Sequence, residues 1–240
     1  MLTLIYLELR KLKGSLIWPL VLAAPVLVNI FVYMLATRMP PLPWTDAVAQ
    51  GIGLWCFFIM PMTIVALSIL LSGVEHGPRA WDHILALPVR RWRIFMAKAA
   101  VMMLLIGLMG LMLLVELEAT GMAVAAFVPE KAFIGDFPWI RGLTLTAQTW
   151  AASLFMGMVQ LWIAIRFRSF VAPMAVGLAG TFVTVVGSGL SETIYVPWAM
   201  PVAIIASKTV EDSALALQVG LWGGVAALLL MLVDLSRKEA

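Results

Sequence analysis

Six apolar stretches of about twenty residues, nearly free of charge, follow one another along this chain. Each is long enough to cross the hydrocarbon core of a bilayer as a helix, and no other feature limits the fold as strongly. A backbone inside lipid must satisfy its own N–H and C=O groups, which a helix does within one segment. Hydrophobic residues make up 63% of the 240 and charged residues 12%, where a soluble domain carries about 25% charged residues. A water-soluble fold could not hide that much apolar surface. The expected fold is therefore all-α: a polytopic membrane bundle of six transmembrane helices in a single domain, residues 1–240. The spans are read at about 16–37, 52–73, 97–116, 143–165, 170–190 and 214–233.

The gaps between the spans set the orientation. Residues 1–15 alternate apolar and charged residues at helical spacing, with Leu2, Ile5, Leu9 and Leu12 or Leu16 on one face and Glu8, Lys11 and Ser15 on another. This pattern predicts an interfacial amphipathic helix whose basic side chains meet anionic headgroups. Pro19 and Pro25 mark bends in the first span. The segment 38–46 (RMPPLPWTD) reads as an outer loop and 119–142 as the longest outer segment, broken by Pro129, Gly135 and Pro138. Residues 191–213, with Pro197 and Pro201, read as an outer re-entrant or interfacial element too short to cross. With the N-terminus inside, only Arg38, Lys131, Arg141 and Lys208 fall outside, and the other twelve of the sixteen Lys and Arg lie on the cytoplasmic side. This asymmetry predicts a multi-pass protein of the cell's inner, cytoplasmic membrane with both termini in the cytoplasm. The net charge of +3 is thus spent on orientation, and no nucleic-acid partner is expected. The single cysteine, Cys56, sits in an apolar run and reads as a packing residue. No small-residue cleavage site follows the N-terminal region, so no removable signal peptide is expected.

The stretch 75–98, EHGPRAWDHILALPVRRWRIFMAK, carries most of the functional information. Pro78 suits the first turn of a helix and Pro88 stops one after Leu87. Arg79 to Leu87 would then form about two and a half turns, with Trp81, Ile84 and Leu85 on one face and Asp82 toward another. A short amphipathic helix in a cytoplasmic loop offers apolar anchors inside a charged rim, the arrangement by which a partner protein is gripped. A basic loop that only sets topology would account for Arg90, Arg91 and Arg93, but not for the proline-bounded helix.

Glu75, His76, Trp81, Leu85, Leu87, Pro88, Arg91 and Lys98, together with the layout of the whole chain, resemble the permeases of type-2 ABC exporters. The likeness is to those of the lantibiotic-immunity and bacitracin-resistance kind. The resemblance implies a dimer of permeases, each receiving an ABC ATPase subunit at a coupling helix between the second and third spans. Partner contacts would fall on Arg79, Trp81, Asp82, Ile84, Leu85, Leu87 and Pro88, flanked by Glu75, His76, Arg91 and Lys98. The second permease would be the same or a related chain, the substrate an amphiphile (peptide antibiotic, lipid or drug), and the direction outward.

No GxxxxGK[ST] loop occurs, so ATP and Mg are expected in the partner ATPase, with no cofactor in this chain and no enzymatic activity of its own. His76 and His83 are separated by Gly77-Pro78 and lack a third ligand, which leaves no expected metal site. Glu116 and Glu118 fall near the outer boundary of the third span, where a role in an outer gate competes with simple interfacial placement. The run Gly177, Ala179, Gly180 and then Gly187, Gly189 allows close helix approach, either between subunits or within the bundle. Two other classes fit the layout: an ion-coupled secondary transporter, which would need an ionisable group at mid-depth, and a membrane scaffold that recruits a soluble partner.

Overall fold

The computed structural model describes residues 1–76, 90–167, 169–187 and 195–237, apart from the side chains of Glu75 and His76. Within them the protein is helical, with one isolated β-bridge, Pro43 to Ile134. The helices are α1 (Leu2–Lys11), α2 (Ile17–Ala36), α3 (Trp44–Leu54), α4 (Met60–His76), α5 (Arg91–Phe127), α6 (Trp139–Arg166), α7 (Val171–Gly187), α8 (Met200–Ala206) and α9 (Val210–Arg237). A π-helical turn, Trp55–Ile59, joins α3 to α4. Among the described residues, five helical stretches are long and apolar enough to cross a membrane: α2, α3 through α4 (Trp44–Val74), α5, α6 and α9. The shorter apolar helix α7 has 17 described residues, about 26 Å at the helical rise. The protein is therefore polytopic in the membrane.

α5 is the longest helix described, at 37 residues. Its buried residues include Met102, Ile106, Met109, Leu113, Leu117 and Val124, while Leu104, Leu108, Leu111, Val115 and Met122 form an exposed stripe. That stripe recurs at helical spacing and faces the place of lipid. α2 runs along α5, and α6 along α9. The α6–α9 contact is set by small residues: a Cβ on Gly220 would lie 2.6 Å from Ala152 Cα, and one on Gly224 would lie 2.8 Å from the Phe155 nitrogen. Absent side chains let the backbones approach this closely.

Several elements depart from the expected boundaries. α3 begins at Trp44, so the segment read as a loop to residue 46 ends at Pro43, which occupies the N-cap. α5 does not end near Glu116: it continues to Phe127 and reaches 37 residues, about 56 Å at the helical rise. Residues 119–127 are thus the last turns of a helix. Two contacts support the extension. Trp44 N–H donates to the Ile134 carbonyl at 3.0 Å and Ile134 N–H to the Leu42 carbonyl at 2.9 Å. Trp44 then meets Phe133 at a tilt and Phe137 edge to face, with centroids 4.6 and 4.9 Å away, and fills the space left open at Gly121.

Within 191–213, read as a re-entrant or interfacial element, the described part includes the seven-residue helix α8. Met200 and Ile204 pack with Ala152 at the middle of α6 and with Ala216 of α9. Gly177 and Gly180 make contacts inside the bundle, against Val65 and Trp198 respectively.

Candidate functional site

Among the described residues, three places bring polar groups or space into the apolar bundle in a way that bears on function. The first joins α1 to the end of α4 and the start of α5. Lys98, seven residues into α5, is 1% exposed. Its ammonium donates to Glu8 Oε2 at 2.9 Å and to the Leu71 carbonyl of α4 at 3.2 Å. The other carboxylate oxygen of Glu8 accepts from Lys11 Nζ at 2.6 Å. Burial pushes the Glu8 carboxyl up, but the charge of Lys98 and hydrogen bonds from Lys11 and Lys98 outweigh it and hold the group below its ordinary value.

This geometry corrects the expected face of α1. Glu8 points into the bundle beside Leu12, with Ile5 and Leu9 packed nearby, while Leu2 and Leu16 are exposed. Hydropathy spacing alone assigns a charged residue to the solvent side. Here a buried ammonium on another helix makes the inward position favourable, because an unpaired charge there is far costlier than a paired one. The outward face carries Leu2, Tyr6 and Leu7 with Arg10 and Lys13, a composition that suits the headgroup layer.

The second site ties α2 to α5. Asn29, 6% exposed, donates to Glu116 Oε2 at 3.2 Å, and Thr120 donates to Asn29 Oδ1 at 3.4 Å. Asn29 also reaches the Pro25 carbonyl at 3.1 Å. Glu116 is half-buried and lies within the helix rather than at its end, with eleven residues of α5 beyond it. Glu118, two residues on, takes no part in this contact.

The third is an apolar cavity of about 540 Å³ between α2, α3 and α8. Val32, Leu35, Met39, Phe57, Val202 and Ile205 line it, and Gln50 is the polar side chain in its wall. A volume of this order suits the apolar part of a drug-sized molecule. The π-turn meets the cavity at Phe57, and such turns recur where helices are adapted for function.

Of the sequence-predicted residues, Arg79, Trp81, Asp82, Ile84, Leu85, Leu87 and Pro88 lie outside the described residues, as do the side chains of Glu75 and His76. Arg91 opens α5 and is half-buried, and Arg93 sits over the Trp92 ring at 5.5 Å. Lys98 is the flanking residue whose partners are defined. Glu8 and Leu71 were not anticipated as partners. The available signal was the pairing of a lone acid in a basic helix with a lone lysine inside an apolar run.

No curated protein matches the chain. A profile described as ABC-2 family transporter protein matches residues 4–184, which takes in α1 through most of α7. With that match across three quarters of its length and several membrane-crossing helices, the chain belongs to the ABC-2 family of transporter proteins.

Proposed function

We propose that this chain is the permease subunit of an ABC exporter, driven by ATP that a separate ABC ATPase hydrolyses with Mg. The observation that carries the reading is the ABC-2 family match over residues 4–184, since permeases of that family work with an ABC ATPase. The match brackets the segment 79–87, where Trp81, Ile84 and Leu85 serve as apolar anchors and Arg79 and Asp82 as the polar rim. The working unit is a dimer of permeases in the inner membrane, each with six spans and cytoplasmic termini, resembling the lantibiotic-immunity and bacitracin-resistance kind. Nucleotide binding draws the two ATPases together, the cytoplasmic ends of α4 and α5 move with them, and the bundle opens outward.

The cavity between α2, α3 and α8 supports an amphiphilic substrate, because an almost wholly apolar wall takes up an aliphatic or aromatic portion and leaves a polar head free. Glu116, tied to Asn29, and Glu118 serve an outer gate between α2 and α5.

The test is co-purification in mild detergent from native membranes, comparing the intact protein with a Trp81→Asp, Leu85→Asp double variant. An ATPase subunit that accompanies the intact protein and is lost from the variant is the expected result. A folded, intact protein that brings down no ATPase would overturn the reading.

A further inference from the structure

Lys98 makes contacts that a lysine serving only to orient the chain would not make. Such a residue extends toward headgroups and water, yet this one is 1% exposed with its ammonium in the bundle. Two of its contacts go to different elements: Glu8 Oε2 of α1 at 2.9 Å and the Leu71 carbonyl of α4 at 3.2 Å. The lysine itself belongs to α5. One side chain therefore holds three helices at their cytoplasmic ends. Two of the three, α4 ending at His76 and α5 starting at Arg91, are the stems on either side of residues 77–89.

The contact is also of a rigid kind. Both charges are buried, Glu8 is engaged through both oxygens, by Lys98 and by Lys11, and charge-assisted bonds are short and directional. Apolar neighbours could slide past one another at small cost. A buried ammonium cannot leave its carboxylate without facing hydrocarbon.

We propose that Lys98 is a positioning residue that binds α1 and the cytoplasmic ends of α4 and α5 into one rigid body, so that movement of the α4–α5 stems carries α1 with it. The proposal rests on the permease reading only for the source of the movement; the rigid body itself is a property of this chain. α1 then acts as a lever in the headgroup layer, with Leu2, Tyr6 and Leu7 turned outward. Membrane material against that face moves with the transport cycle.

The experiment uses nitroxide pairs and measured distance distributions in the full-length protein, purified with its ATPase and set in lipid nanodiscs, in a Cys56→Ser background. One pair joins Tyr6→Cys on α1 to Trp92→Cys on α5. A second joins Tyr6→Cys to Val233→Cys on α9 as a reference. Without nucleotide, the first pair gives a narrow distribution that broadens in Lys98→Met and stays narrow in Lys98→Arg, which keeps the charge. With ATP and vanadate, the first distance holds while the second shifts, and in Lys98→Met the shift of the second is lost.

An α1–α5 distance that is broad in the native protein, or unchanged by Lys98→Met, would overturn the rigid body. So would a nucleotide-driven change in the first distance. Should Lys98→Met fail to accumulate, Glu8→Gln makes the same comparison. Absence of an ATPase from the preparation would count against the permease reading, while the nucleotide-free distances would still decide the clamp.

Discussion

At the residue scale, Glu8 and Lys98 dominate because each is costly to bury alone. Replacing Glu8 with Gln leaves the Lys98 ammonium in the bundle without this carboxylate, which costs about 3–5 kcal/mol. The sign of the pH response follows from the lowered Glu8 carboxyl. Its contribution is fully present above the ordinary value of 4.5 and is lost as pH falls through the depressed folded value. A fluorophore at Tyr6, followed from about pH 7 to about pH 3, should thus report a docked α1 until well into the acid range. In Glu8→Gln the same probe should already report release at neutral pH, and the variant should unfold at lower temperature in detergent. A probe indifferent to the substitution would mean that the ion pair does not hold α1. The residue types were legible in the sequence, but the partnership was not. Ninety positions separate the two, and no local spacing rule links groups that far apart.

At the scale of elements, helix identity follows from apolar length, while helix placement follows from a few small residues. Gly220→Ala would set a Cβ 2.6 Å from Ala152 Cα, a backbone atom with no rotamer to yield. Thermal unfolding of this variant should show a loss of about 1–3 kcal/mol, the usual cost of overpacking. Gly73→Ala in α4 meets nothing within 4 Å and should gain about 0.5–1 kcal/mol from helix propensity. Equal effects of the two would refute the close α6–α9 approach. The C-terminal ends of these helices are further joined by Asp234, which accepts from Trp162 Nε1 at 2.9 Å and pairs with Arg166 at 3.3 Å. A helix can also outlast its span: the third span is expected to end near Glu116, and α5 runs on beyond it. Span length was inferred from bilayer thickness, whereas α5 continues to Phe127 beside the Trp44, Phe133 and Phe137 cluster.

At the scale of the whole molecule, the distribution of Lys and Arg predicts that Lys13 and Val233 face the cytoplasm and Lys131 the outside. In a Cys56→Ser background, a membrane-impermeant maleimide should label Lys131→Cys in intact cells, and Lys13→Cys or Val233→Cys only in inverted vesicles. Labelling of all three from one side would refute the proposed orientation. The sequence by itself determined that lipid is the solvent of this protein and that its elements are helices. Those properties depend on local composition and on backbone groups that hydrocarbon cannot satisfy. Tertiary structure alone decided which face of α1 turns inward, where α8 packs, and which walls enclose the cavity at α2, α3 and α8. Each of these depends on what stands opposite a side chain in space. Hydropathy cannot tell a charge aimed at water from one aimed at a buried counter-charge.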